Sequence, residues 1–389
     1  MVRILSSFVV FGSLVSAGTA VSSDSVWRSA LHDYRLVEVV KGLVQPWSIA
    51  FLPDGDLLIT ERPGRLRIVR KGTLLPQPVE GVPSVFHSDQ GGLLEVMPHP
   101  SFASNRFLYL TYAKPSADGQ QSTTALVRGR FENDRLSDLE PLFESVSLGR
   151  GHYGGKIAFD KNGFLFLTLG DRQVPPVGNL EAHPAQDLSN HHGKIVRLHD
   201  DGRVPKDNPF VGRAGARPEI WSYGHRNVQG LAIHPETGDV WEDEHGPQGG
   251  DELNLIQPGR NYGWPVIGFG VNYDTGLAIH AGTHREGMEQ PVHVWVPSIG
   301  ISGMMIYTGD RFPHWRGNLF VVGMVGQRLA RLTLEGQRVV LEETLVTQRG
   351  RIRDVRQGPD GYIYLVTEDS DGKPTPVYRM EPVERTEFD

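Results

Sequence analysis

Residues Lys156-Ile-Ala-Phe-Asp-Lys-Asn-Gly-Phe-Leu-Phe-Leu-Thr168 read as two short apolar runs joined by a polar turn that ends in glycine. Runs of this length suit strands, and the Asp-Lys-Asn-Gly turn supplies the positive-φ position that a tight hairpin needs. The same phrase recurs as Ile49-Ala-Phe-Leu-Pro-Asp-Gly-Asp-Leu-Leu-Ile-Thr60, as Leu231-Ala-Ile-His-Pro-Glu-Thr-Gly-Asp-Val-Trp241 and as Val355-Arg-Gln-Gly-Pro-Asp-Gly-Tyr-Ile-Tyr-Leu-Val366. Two variants with longer turns cover residues 94–111 and 304–322. Six hairpins therefore recur at roughly 45–75 residues, which brackets the repeat lengths of propeller blades. Further strand pairs follow several copies, as at 193–198 and 328–333. Four strands per unit and six units describe an all-β fold, a six-bladed β-propeller with short, protected edges. A large β-sandwich or two packed barrels are the other all-β solutions, and repetition this regular argues against both. No stretch carries a helical period over three turns.

Composition fits that reading. A chain of 389 residues makes two or three ordinary domains or one large repetitive one. Its 46 glycines and 27 prolines are spread without a short period, as many turns require. The net charge of -7 gives no electrostatic reason to expect nucleic acid, so an anionic ligand would need a local basic cluster. Met1-Val2-Arg3, an apolar stretch over 4–15 and the small residues Ala17-Gly18-Thr19-Ala20 predict an export signal over residues 1–20. Cleavage is expected after Ala20, with Ala17 the second choice. The apolar part is too short and too serine-rich to span a bilayer. Residues 21–389 are thus expected to form one exported domain, periplasmic or secreted. With no cysteine it has no lipoprotein anchor, disulfide or thiolate metal site.

Residues 223–265 gather the polar side chains. Arg226, Asn227 and Gln229 precede the run 231–233, and the next run ends in the acidic, glycine-rich segment 242–252. In a hairpin those two places share one end. Elsewhere, His152 lies in Gly149-Arg-Gly-His-Tyr-Gly-Gly-Lys-Ile157, just before a first-strand pattern, and is expected to be exposed at a channel mouth. A neutral imidazole there can accept a proton near neutral pH. Asp171 ends the partner strand and can orient the ring; the other reading is one of 15 histidines lying in a turn. The Gly246-Pro247 pair exposes carbonyls and Glu252 adds an anionic oxygen, which are donors that calcium prefers. That spacing is not an EF-hand, and a solvated acidic turn explains it too. Arg351 and Arg353, two apart, put two guanidinium forks on one strand face. Such forks bind carboxylates bidentately, although a surface strand of alternating charge looks the same.

These motifs fall in a specific order: Pro46-Trp47, Leu57-Leu-Ile-Thr-Glu61, Gln90-Gly-Gly-Leu-Leu94, His152-Tyr-Gly-Gly155, Gly170-Asp171, Gly224-His-Arg-Asn227, His245-Gly-Pro247, Asp251-Glu-Leu-Asn254, Asn261-Tyr-Gly-Trp-Pro265 and Arg351-Ile-Arg-Asp354. Over about residues 34–381 the chain resembles the PQQ-dependent soluble aldose (glucose) sugar dehydrogenases. The resemblance implies oxidation of the anomeric hydroxyl of an aldose sugar to the lactone. Hydride would pass to the quinone, and the electrons to an external acceptor. It implies His152 as the base in contact with the cofactor, Asp171 as its support, and the carbonyls of Gly246 and Pro247 as ligands of a calcium that also binds PQQ. Gln90, Arg226, Asn227, Gln229, Arg351 and Arg353 would contact PQQ or the developing oxyanion. Glu252 and Tyr262, the latter through its backbone carbonyl, would form a structural calcium site.

One departure stands out. The family often has a lysine on PQQ where Val325 stands here, so either Arg328 substitutes or the cofactor is held more weakly. Two other functions remain open. A calcium-dependent propeller lactonase would need side-chain Asn, Asp and Glu ligands from several blades on one axial calcium. A non-catalytic binding propeller would explain the lost lysine. Sugar preference is expected in loops 116–123 and 174–185, and a monomer is the default.

Overall fold

The computed structural model describes residues 25–385. The expected export signal, with both cleavage choices, lies outside the described residues. Each of the six repeated phrases forms the first hairpin of an antiparallel sheet, and the six sheets are the blades of a β-propeller. The first strands are Pro46–Phe51, Leu93–Pro98, Ile157–Phe159, Val228–Ile233, Ile301–Ile306 and Arg351–Gln357. The second strands are Leu57–Glu61, Phe107–Pro115, Leu165–Leu169, Val240–Glu244, Leu319–Gly323 and Ile363–Glu368. Leu165–Leu169 is buried at all five positions, because a blade in the ring has a neighbour on each face. Between the last two blades Tyr307, Phe312, Trp315 and Phe320 pack on Ile352 and Val355. Between the first two, Leu58, Ile68, Leu93 and Leu108 share one cluster.

The ends of the chain close the ring together. Asp33–Leu43 pairs antiparallel with Thr375–Val383, from Asp33 opposite Val383 to Leu43 opposite Thr375. The N-terminal strand thereby becomes the outer strand of the last blade, with the short strand Val26–Trp27 beyond it.

Neighbouring blades are also stapled by side chains. Thr60, Thr111 and Thr168 hold matching places on three second strands. Each hydroxyl accepts from an N–H of its own blade, at Ser48 and Glu95 in first strands and at Lys156 just before one, all at 3.0 Å. Each then donates to the next blade, to the carbonyls of Leu94 (2.5 Å), Gly155 (2.6 Å) and Val228 (3.3 Å). Carboxylates and a serine continue the circuit. Asp251 Oδ2 accepts from the N–H groups of Ile299, Gly300 and Ile301, and the Ser302 hydroxyl donates to Arg353 O. Asp354 Oδ2 accepts from Ile49 N at 3.2 Å and returns to the first blade. Most first strands carry a register shift at this level, as between Pro46 and Ser48 or Ile352 and Asp354. Such bulges bend the strand and re-aim the side chains beside it.

Thr168→Val should leave Lys156 N and Val228 O short of a partner. Each buried orphan costs about 1–3 kcal/mol. A lowered urea midpoint is the expected result, and an unchanged one would show that the staple carries no stability.

Candidate active site

First strands begin, and second strands end, at the same mouth of the ring. A cavity of about 640 Å³ opens there, lined by Gln90, His152, Arg226, Asn227, Gln229, Pro247, Arg351 and Arg353 among others. Gly246, Glu252 and Tyr262 line a narrow cleft beside it that shares Arg226 and Pro247. Asp171 lies behind His152, on a side cavity of about 220 Å³.

His152 is not exposed as expected. Only 7% of it reaches solvent, because the glycine turn around it folds back against the blade. A Cβ on Gly154 would lie 2.6 Å from Thr168 O, so only glycine allows that approach. His152 itself sits at φ 43°, a left-handed conformation that costs about 1–3 kcal/mol and persists only when its surroundings hold it. Gln90 Oε1 accepts from its backbone N at 2.8 Å. Asn227 Oδ1 accepts from Gly154 N at 3.2 Å, and Gln229 Nε2 donates to Gly154 O at 3.3 Å. Its ring Nδ1–H donates to Asp171 Oδ1 at 2.6 Å. That tautomer leaves Nε2 as the acceptor.

Burial lowers the His152 pKa below its ordinary value; Asp171 pulls it up and Arg226 pushes it down. Burial alone would raise Asp171, but the His152 ring and Arg226 outweigh it and hold the carboxyl below its ordinary value. Asp171 Oδ1 also accepts from Gln173 N at 2.9 Å, and Oδ2 from Trp264 Nε1 at 2.7 Å.

Arg351 and Arg353 both face the cavity and share one counter-ion, Glu368, at 3.0 Å each. Arg353 Nη1 also donates to Gln229 Oε1 at 3.3 Å. Arg62 joins this wall and was not singled out from the sequence. Burial lowers its pKa, as does the neighbouring Arg353. Three guanidinium groups against one carboxylate leave this corner of an acidic protein positive. Buried Nε atoms of Arg62 and Arg226 have no acceptor, as is also true of several arginines away from the cavity, so these two donors are available to a ligand. Arg62 follows the second strand of its blade as His245 follows another. Glu368 ends the last blade's second strand. That shared position is the sequence signal that could have found both.

The carbonyls of Gly246 and Pro247 accept only long bonds, from the Tyr273 hydroxyl (3.4 Å) and the Ser298 hydroxyl (3.3 Å). They retain lone pairs for a hard cation. Glu252 and Tyr262 share their cleft with Glu244, while the Tyr262 hydroxyl is taken up by Leu255 O at 2.7 Å. A second acidic group adjoins them: ligand atoms of His225, Glu242 and Glu244 lie within 4.8 Å of one another. Asn254 Nδ2 donates to Glu242 at 2.8 Å and to Glu252 at 3.4 Å. Burial pushes Glu242 up to about 7, helped by Glu244. Burial alone would lower His225, but its bonds to Glu242 and Glu244 raise it to about 9. The alternation Glu242-Asp243-Glu244 was the visible sign, since period 2 puts both glutamates on one face.

Val325 lines the cavity and is 69% exposed. Arg328 does not take its place. It turns outward to Thr344 (3.4 Å) and Glu342 (3.7 Å), because its strand Arg328–Glu335 pairs with Arg338–Val346 there. Loop 116–123 contributes nothing to the cavity lining, whereas Val174, Pro175 and Pro176 line the side cavity.

Comparison with known proteins gives a consistent picture. Residues 43–379 match the family model described as Glucose / Sorbosone dehydrogenase. An uncharacterised protein of Synechocystis sp. is 45% identical over 92% of this chain and 91% of its own length. The aldose sugar dehydrogenase YliI of Escherichia coli is 43% identical over 87% of this chain and 91% of its own. Among solved structures, the PQQ-bound form of aldose sugar dehydrogenase from Streptomyces coelicolor superimposes with a TM-score of 0.73 at 29% identity, over 90% of this chain and 98% of that one.

In the protein without added ligands, the His152 imidazole should titrate below the ordinary 6.5. Asp171→Asn should lower it further, because the carboxylate is the strongest group holding it up. NMR of the ring protons reads both, and no change on substitution would show that the two groups do not communicate.

Proposed function

The chain belongs to the glucose/sorbosone dehydrogenase family, and from that premise we propose that it oxidises the anomeric hydroxyl of aldose sugars to the lactone, with PQQ and calcium as resident groups. The observation that carries this reading is a buried His152–Asp171 pair on the same cavity as a guanidinium cluster with too few counter-ions. The fit to the two groups rests on this chain's own atoms. Orphaned Nε donors on Arg62 and Arg226 suit a polyanionic quinone, and weakly bonded carbonyls on Gly246 and Pro247 suit calcium. Gln90, Asn227, Gln229, Arg351 and Arg353 would complete the cofactor cradle, and Glu252 with Tyr262 the second calcium site. When bound, PQQ supplies the two-electron acceptor and calcium polarises it.

The protein's own part is proton transfer, orientation and charge. His152 Nε2 takes the anomeric hydroxyl proton while Asp171 keeps the ring in the required tautomer and stabilises the imidazolium. Arg226, tied by Nη1 to His245 O at 3.2 Å, offers positive charge where negative charge develops. Electrons then leave to an external acceptor that reaches the open mouth. One chain carries every residue of this site, so a monomer suffices. We place the protein in the periplasm or outside the cell, with residues 21–389 as its one domain.

The lactonase reading is disfavoured at the ring's axis. There Glu95 and Asp354 are neutralised by Lys156 at 3.1 and 3.3 Å and by Arg356 at 2.9 and 3.3 Å, leaving those carboxylates no free charge for an axial calcium.

The test is reconstitution. Absorbance titration should show saturable PQQ binding that needs calcium, and the loaded protein should reduce a dye with aldoses. His152→Ala should lower kcat about 10²–10⁴-fold while still binding PQQ, and Arg353→Gln should weaken PQQ binding. A native chain that does not bind PQQ would overturn the assignment.

A further inference from the structure

We propose that Trp264 is a positioning residue for proton transfer, holding the Asp171 carboxylate through its indole N–H and the Arg226 guanidinium through its ring face. The inference rests on the reading of His152 as the base. Trp264 is 7% exposed and lies past the third strand of the fourth blade, Asp251–Ile256, yet it reaches Asp171 of the third blade, 93 residues away in sequence.

The two carboxylate oxygens are divided between two rings. Oδ1 takes the His152 Nδ1–H and Oδ2 takes the indole N–H at 2.7 Å. Rotating the carboxylate would break both bonds, so the indole fixes the oxygen that fixes the imidazole. On the ring face, Arg226 Cζ lies 5.2 Å from the Trp264 centroid. The groups facing His152 are Asp171, Arg226, Arg172 and His245. Two of these four therefore rest on one indole.

Trp264 is itself clamped. Its backbone N–H donates to Gly224 O at 2.8 Å, its backbone carbonyl accepts from Gln186 Nε2 at 2.7 Å, and the His183 and His280 rings meet the indole nearly edge-on. Among the described residues one other indole bonds a carboxylate, Trp295 Nε1 to Glu342 Oε1 at 3.1 Å, in a part-buried contact outside the cavity lining. Buried Nε1 atoms of Trp27, Trp221, Trp241 and Trp315 have no partner, so burial alone does not place a carboxylate there.

Trp264→Phe keeps an aromatic face for Arg226 and removes the N–H donor together with one ring of the indole. We expect kcat to fall about 10–100-fold, the usual scale for residues that orient an active group, with KM and PQQ affinity within about twofold. Losing the donor concentrates the Asp171 charge on His152. The imidazole pKa, read by NMR without cofactor, should rise, and the acidic limb of kcat/KM should move to higher pH with it. In otherwise unmutated protein, the Trp264 indole N–H resonance should lie downfield and exchange slowly, and Asp171→Ala should abolish both properties. A Trp264→Phe protein with unchanged kcat and His152 pKa, or an indole signal indifferent to Asp171→Ala, overturns the proposal. If the native protein turns over no aldose, the functional reading fails, and the two NMR measurements still decide whether Trp264 sets Asp171 and His152.

Discussion

A hydroxyl that accepts from its own blade and donates to the next is the contact on which this molecule is organised. Thr60, Thr111 and Thr168 use it directly, and Asp251, Ser302 and Asp354 continue it with other chemistry. Each bond is worth little net, but leaving its buried partners unpaired is expensive, so the circuit specifies how far each blade is rotated against its neighbour. That rotation sets where the first strands begin. Most cavity-lining groups lie at or near such a beginning or a second-strand end, so the register of the ring sets most of the geometry of the site.

The site stands on an electrostatic contrast. The chain carries a net charge of -7, yet its cavity wall gathers Arg62, Arg351 and Arg353 around the carboxylate of Glu368, and Arg226 lines the same cavity near His152. Beneath the mouth, Glu95 and Asp354 are matched by Lys156 and Arg356, and burial holds the nearby Asp243 carboxyl well above its ordinary value, so the channel below contributes little field. Uncompensated positive charge is therefore concentrated at one end. The histidine beside it is kept neutral by burial, while Asp171 limits how far its basicity falls. An imidazole near so many cations would otherwise lose much of its affinity for a proton.

On the other side of the Gly246-Pro247 turn the imbalance is reversed. Glu242, Glu244 and Glu252 approach one another around His225 and Asn254, with burial raising the pKa values of Glu242 and Glu252. Asp251 braces the turn between the two regions, since its Oδ1 accepts from Gly246 N and its Oδ2 from the next blade. The carbonyls of the turn thus sit on the boundary between a guanidinium-rich wall and a carboxyl-rich one.

Sequence alone determined what is local and periodic. Repeated hairpin phrases gave six blades, because turn chemistry and strand length act within about a dozen residues. Alternation put Arg351 and Arg353 on one face, and the hairpin 228–244 brought Arg226 and the Gly246-Pro247 turn to the same end. The Asp171 contact was legible because both partners belong to one blade. Tertiary structure decided the rest: the burial of His152, the arrival of Arg62, the outward turn of Arg328 and the reach of Trp264 to Asp171. Each depends on how a loop of one blade meets its neighbour, or on which way a strand's outer partner draws a long side chain. A period of two records direction along a strand and carries no information about the distance between strands brought together by closure of a ring.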